Sequence, residues 1–319
     1  MNDPFSDFFL WDLEPTILQL GSHGIRYYGV IFAIGILLGY HLWRRGMTRA
    51  GHDPETTDRW LVWGVLAVLI GSRLGHCLFY EPEFYLKHPI RILYVWKGGL
   101  ASHGATIGLV VALFLYARKY RYSFVEMMDR MAMPATMGAI FVRLGNFMNG
   151  EIVGKEFHGA WAVRFQRYVE INQSMYESAH GPLAWVAFPL PRHPSQLYEA
   201  AGAALVFLLI YLLDRHLKED RPRGLMAGLF LTGYFAFRFL VEFVKEFQSL
   251  GRIVADPLEH VLRVEPTMGF TMGQYLSIPF FLCGVGLIVW SLRTRHSAGV
   301  LSPAESGADA PKRRKKARS

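Results

Sequence analysis

The chain has 319 residues, of which 52% are hydrophobic, 14% aromatic and only 19% charged, against roughly 25% charged in soluble domains. That balance excludes an ordinary soluble domain and implies an all-α polytopic membrane protein with about seven transmembrane helices and a small extracytoplasmic cap. The net charge of +8 is inflated by the basic run Lys312 to Arg318, which suits anionic lipid or topology; no recognition fold accompanies it, so nucleic acid is not an expected partner.

In chain order, the N-terminus Met1-Asn-Asp-Pro-Phe-Ser-Asp lacks the basic region that precedes the apolar core of a cleavable signal peptide, so the first span is expected to direct insertion. Seven apolar stretches follow, at about 28–43, 61–80, 100–117, 126–147, 198–213, 224–243 and 274–292. Each is close to the ~20 residues that a spanning helix needs. Arg44, Arg45 and Arg49 follow the first stretch, Arg118, Lys119 and Arg121 the third, and Arg215, Lys218, Arg221 and Arg223 the fifth. Retention of positive charge on the cytoplasmic side makes all three loops cytoplasmic and puts the acidic N-terminus, with Asp3, Asp7, Asp12 and Glu14, outside and the C-terminus inside. The loop holding Lys87, Arg91 and Lys97 runs against this pattern. Segments of about 148–197 and 244–273, rich in Pro, Gly and charge, are expected to build the cap within a domain spanning 1–295, and residues 296–319 to form a disordered basic cytoplasmic tail.

Several spans carry groups that a plain anchor does not need, and the assigned topology brings them toward the outer leaflet. Tyr28 opens the first stretch, Arg73 and His76 interrupt the second, and His103 stands where the third begins. The fourth ends in Arg143-Leu-Gly-Asn-Phe-Met-Asn-Gly-Glu-Ile-Val-Gly154, where Arg143 and Asn146 share a face if the segment is helical, and Glu151 follows. Arg238 and Glu242 lie four apart near the end of the sixth. Each has a plain structural explanation: Arg238 with Glu242 as an intrahelical ion pair, His103 as a helix-start hydrogen bond, Tyr28 as an interfacial aromatic. Gly35/Gly39, Gly71/Gly75 and Gly104/Gly108 have the spacing of close helix contacts. Their coincidence at one depth favours function, and cations beside glycine-exposed N–H groups suit a phosphate. Cys77 and Cys283 lie inside apolar stretches as small hydrophobes, and the chain has no H-E-x-x-H, G-x-S-x-G, Walker or paired C-x-x-C motif.

The chain closely resembles the prolipoprotein diacylglyceryl transferase family. Arg143 to Gly154 looks like that family's signature, and around it stand Arg26-Tyr-Tyr-Gly29, Gly71-Ser-Arg-Leu-Gly75, Ala101-Ser-His-Gly104, His193-Pro-Ser-Gln-Leu-Tyr-Glu199, Phe237-Arg-Phe-Leu-Val-Glu242 and Met272-Gly-Gln-Tyr-Leu-Ser-Ile-Pro279. Ala105 departs from a frequent second glycine, and the basic tail is an extension. The resemblance implies a bacterial inner-membrane enzyme that moves the sn-1,2-diacylglyceryl group of phosphatidylglycerol to the lipobox cysteine of a prolipoprotein signal peptide, among membrane lipids, and releases glycerol 1-phosphate. On that reading His103 is the candidate base, with Glu151 as its candidate partner. Arg143 and Arg238 hold the phosphate, Tyr28 and Asn146 bind phosphate or glycerol hydroxyls, Glu242 orients Arg238, and Gly154 leaves backbone room. No metal or other cofactor is required. A transporter fits less well, because no repeat relates the two halves and the polar groups gather at one face. A receptor would not need so many arginines, and a lipid phosphatase would use water in place of the thiol.

Overall fold

The computed structural model of the chain describes residues 3–21, 23–183, 187–246, 253–264 and 269–294. The tail expected from residue 296 lies outside them. The described chain is mostly helical: α1 Tyr27–Arg49, α2 Pro54–Phe79, α3 Pro82–Lys87, α4 Ser102–Lys119, α5 Phe124–Met148, α6 Gln166–His180, α7 Ser195–Leu217, α8 Leu225–Val241 and α9 Met272–Thr294. Each apolar stretch falls on one of α1, α2, α4, α5, α7, α8 and α9, and by length and composition α2, α9 and the run Ser195–Asp220 are able to cross a membrane. The sequence reading anticipated helices alone, whereas short strands are also present: β1 Phe9–Trp11, β2 Thr16–Leu20, β3 His23–Arg26, β4 Val163–Phe165, β5 Pro191–Arg192, β6 Ile253–Asp256 and β7 Val261–Val264.

The helix ends follow local chemistry. Pro54 occupies the first turn of α2, where its missing N–H costs nothing, and the Asp53 carboxylate accepts from Thr56 N at 2.9 Å. Thr271 and Gln274 cap α9 reciprocally: Thr271 N donates to Gln274 Oε1 at 3.0 Å and Gln274 N to Thr271 Oγ1 at 3.2 Å. The start of α8 is capped from another helix, since the buried Asp129 of α5 accepts from Gly224 N at 2.6 Å and Ala227 N at 2.9 Å.

The chain forms two compact units. One comprises Arg44–Met127 and Leu217–Arg223, and its centre is the pair α2 and α4. Glycines make that approach possible: a Cβ on Gly75 would stand 2.6 Å from Gly104 Cα, and one on Gly104 2.7 Å from Gly75 Cα. Arg73, one of the intramembrane charges singled out above, is committed to the loop after α2. It donates to the carbonyls of Ile92 at 2.8 Å, Gly98 at 2.7 Å and Arg91 at 2.7 Å, which neutralise its burial without a carboxylate.

The other unit comprises Met1–Trp43, Met128–His216 and Gly224–Arg293. Gly35 of α1 lies against Phe141 of α5, where a Cβ would meet Phe141 Cβ at 2.7 Å. Beyond the helices, β1 runs parallel to β4, with Phe9 opposite Val163 and Trp11 opposite Phe165, and β4 pairs antiparallel with β5. Buried Val153, Val163 and Phe165 pack there with Trp11, Phe147 and Tyr168, each fully buried side chain contributing about 1.5–3 kcal/mol. The β6–β7 hairpin joins this region through Leu262, packed with Val169 and Ala187, and through Phe188 N donating to His260 O at 2.6 Å. Polar ties reinforce it. Glu156 meets His158 Nε2 at 2.9 Å and Arg263 Nε at 3.3 Å. Partial burial opposes ionisation of Glu156, but those two neighbours outweigh it and hold the carboxyl below its ordinary range.

Candidate active site

The end of α5 organises the first half of the site. Arg143 and Asn146 are one turn apart on the helix, and Arg143 Nη1 donates to Asn146 Oδ1 at 3.3 Å. Gly150, at φ +62°, lets the chain leave the helix in a left-handed turn and fold back over its last turn. Glu151 N then donates to Asn146 O at 3.1 Å, and the Glu151 carboxylate accepts from Asn146 Nδ2 at 2.9 Å and Asn149 Nδ2 at 3.2 Å. Gly145 makes room for Tyr28, since a Cβ there would stand 2.7 Å from Tyr28 Cδ2. Tyr28, Arg143, Asn146 and Glu151 are thereby gathered within one unit.

The second half centres on Glu199 of α7, a residue to which the sequence reading gave no role. Its carboxylate pairs with Arg143 Nε and lies 3.2 Å from Lys245 Nζ and 3.8 Å from Arg238 Nη1. Three cations on three stretches of chain share one buried acid. Glu199 is held in place by the start of its helix, where Ser195 Oγ donates to Ile152 O at 3.0 Å and Gln196 Nε2 to Glu151 O at 2.7 Å. Lys245, also missed, is nearly fully buried and lies 3.9 Å from Glu242. The only sign of Glu199 in the sequence was its place in the His193–Glu199 segment. Nothing local marks Lys245, which follows the end of α8.

Two expectations change. Arg238 was expected to be oriented by Glu242, yet its described charged partner is Glu199, and Glu242 faces Lys245. Glu242 N still donates to Arg238 O at 3.2 Å, so the backbone keeps its helical turn and it is the Glu242 side chain that turns to Lys245 while Arg238 reaches across to Glu199. Gly154 was expected to leave room for a ligand, but its missing side chain serves chain packing. A Cβ would strike His193 Cβ at 2.5 Å and Val244 O at 2.8 Å, and Gly154 N donates to His193 O at 2.9 Å. Of the two cysteines, Cys77 is buried, and Cys283 is exposed on the apolar helix α9.

His103 is the second residue of α4, exposed, and belongs to the unit built on α2 and α4, in which Gly104 is locked against Gly71 and Gly75. The described hydrogen bonds of the Glu151 carboxylate, its suggested partner, go to Asn146 and Asn149.

Chemically, the cluster around Glu199 is suited to an anion. Arg238 is partly exposed and makes one long ionic contact among the described residues, so most of its planar fork of donors is available. The Arg143 guanidinium uses Nε on Glu199 and Nη1 on Asn146.

The family model for prolipoprotein diacylglyceryl transferase matches residues 15–290. Relatives named phosphatidylglycerol–prolipoprotein diacylglyceryl transferase include one from Tolumonas auensis, 38% identical over 289 residues and covering 89% of this chain and 98% of its own. Another, from Porphyromonas gingivalis, is 38% identical over 291 residues, covering 90% and 95%. A third, from Cupriavidus necator, is 34% identical over 296 residues, covering 91% and 97%. The chain belongs to the prolipoprotein diacylglyceryl transferase family.

Proposed function

We propose that the chain transfers the sn-1,2-diacylglyceryl group of phosphatidylglycerol to the lipobox cysteine of a prolipoprotein. The thiol sulfur forms a bond to the glyceryl carbon, the bond from that carbon to the phosphate oxygen breaks, and glycerol 1-phosphate leaves. The carrying observation is the convergence of Arg143, Arg238 and Lys245 on the single carboxylate of Glu199. A phosphate ester gains negative charge as it departs, and fixed cations in a site of low dielectric stabilise that charge more than they stabilise the bound lipid.

In this reading Arg143 and Arg238 hold the phosphate, while Glu199 and Glu242 keep the cations in position. Tyr28 and Asn146 supply further polar contacts, and Glu151 fixes Asn146 through its 2.9 Å hydrogen bond. A thiol with an ordinary pKa of ~8.5 is mostly protonated at neutral pH, so attack needs a base or a cationic field that favours thiolate; the family resemblance makes His103 the candidate base. No step draws on a metal ion.

The reading also takes α1, α2, α4, α5, α7, α8 and α9 as seven spans in a bacterial inner membrane, with the N-terminus periplasmic and the C-terminus cytoplasmic. Support comes from the basic loops after α1, α4 and α7. The segments 148–197 and 244–273 then form a periplasmic cap on a domain spanning 1–295.

The test is release of glycerol 1-phosphate from phosphatidylglycerol by the purified chain in detergent with a lipobox peptide. Release should require the peptide cysteine and stop when it is serine. Release that proceeds without a thiol acceptor would point to hydrolysis instead.

A further inference from the structure

Beside the cation cluster a cleft of about 410 Å³ is lined by Lys155, Glu242, Phe243, Thr271, Gln274 and Tyr275. Two of its polar side chains are almost fully buried and incompletely satisfied. Gln274 is 2% exposed, and its Oε1 is occupied as the acceptor for Thr271 N in the cap of α9. That bond fixes which end of the amide is oxygen, because only an acceptor can face an N–H. Gln274 Nε2 is left with no hydrogen-bond partner among the described residues. Glu242, 9% exposed, likewise has an Oε2 with no hydrogen-bond partner among them, its nearest cation being Lys245 Nζ at 3.9 Å. Gly273 keeps this carboxylate against the start of α9, since a Cβ there would lie 2.6 Å from Glu242 Cδ.

Native structures rarely leave a buried donor and a buried acceptor both unmatched in one cleft. Their chemistry narrows the ligand. A phosphate oxygen would satisfy the amide but be repelled by the carboxylate, and an ammonium would satisfy the carboxylate but offer the amide nothing. Hydroxyl groups both donate and accept. The half-exposed rings of Phe243, Phe270 and Tyr275 surround the cleft with apolar surface, which suits a ligand arriving as part of a lipid.

We infer that Gln274 and Glu242 read the hydroxyl groups of the glycerol headgroup, with Gln274 Nε2 donating to one hydroxyl oxygen and Glu242 Oε2 accepting from a hydroxyl. This rests on the transferase reading above and adds a specificity-determining residue, Gln274, to it. Choline and ethanolamine headgroups, lacking hydroxyls, leave the Gln274 donor buried and unmatched.

The test compares kcat/KM of the full-length chain for phosphatidylglycerol and for phosphatidylpropanol, whose headgroup has similar length and no hydroxyls, with the same lipobox peptide. The wild type should prefer phosphatidylglycerol by roughly 5- to 150-fold, the span expected when a buried polar group loses its partner. Gln274→Leu should bring that ratio close to one. Gln274→Glu keeps an acceptor for Thr271 N but has no donor, so it should also bring the ratio close to one even if the leucine variant folds poorly. A ratio that survives both substitutions overturns the inference, as does an equal loss on both lipids, which would assign Gln274 to the helix cap alone. A wild type equally active on both lipids overturns it while leaving the transferase intact, whereas a wild type inactive on both removes the transferase reading itself. The released glycerol phosphate carries the same hydroxyls; stronger inhibition by it than by inorganic phosphate, lost in Gln274→Glu without a change in the lipid ratio, would place the contact with the product and not with the headgroup.

Discussion

At the scale of single residues, the account depends on how charge is shared around Glu199. Arg143 has two of its nitrogens fixed by Glu199 and Asn146, which orients the guanidinium before any ligand arrives. Arg143→Ala should lower kcat/KM by ~10²–10³-fold, the cost of losing one well-placed charge-stabilising donor group. Arg143→Lys should recover only part, because an ammonium keeps the charge but not the fork; the rate of glycerol 1-phosphate release measures both. Glu199→Gln should act on stability as well as turnover, since it leaves Arg143, Arg238 and Lys245 near one another without their common acid. Breaking a buried ionic cluster in this way costs about 3–5 kcal/mol, so the thermal midpoint in detergent should fall clearly, and an unchanged midpoint would mean that Glu199 does not organise the cluster. The spacing of Arg143 and Asn146 on one helical face was legible in the sequence. Glu199 and Lys245 were not, because pairing between segments far apart in the chain leaves no local periodicity, and the crowding of Gly154 by His193 and Val244 is non-local in the same way.

At the scale of elements, hydrophobic runs located the long helices, and small-residue spacing located their contacts. Gly71/Gly75 with Gly104/Gly108 do bring α2 and α4 together, and Gly35 does meet α5. Gly104→Leu should therefore separate α2 from α4, and it should lower the thermal midpoint far more than the same change at Gly29, where an added Cβ meets nothing within 4 Å. The strands were not legible: β1 has three residues and pairs with β4, more than a hundred residues later, so neither alternation nor a turn announces it. Electrostatics in that region makes a pH prediction. The carboxyl of Glu156 is held below its ordinary range in the fold, so its contribution to stability is present above the unfolded carboxylate range and is lost as pH falls through the depressed folded value. Glu156→Gln should be less stable than the wild type at neutral pH, and the two melting temperatures should converge in acid. A gap that stays constant down to strongly acidic pH would show that the ties to His158 and Arg263 contribute nothing.

At the scale of the whole molecule, the composition indicated a membrane protein, and the match over residues 15–290 gives the family. Both substrates proposed for it are lipid-anchored or membrane-inserted, so a site built from the ends of apolar helices is where chemistry between them would be expected. The central claim is that a lipid-derived group is moved to a cysteine and not to water. The direct measurement is intact mass spectrometry of a lipobox peptide incubated with purified protein and phosphatidylglycerol, with glycerol 1-phosphate quantified in the same sample. The account predicts a diacylglyceryl mass increase confined to the cysteine, absent from the serine peptide, in one-to-one proportion with glycerol 1-phosphate. Consumption of phosphatidylglycerol with no mass gain on the peptide would contradict it.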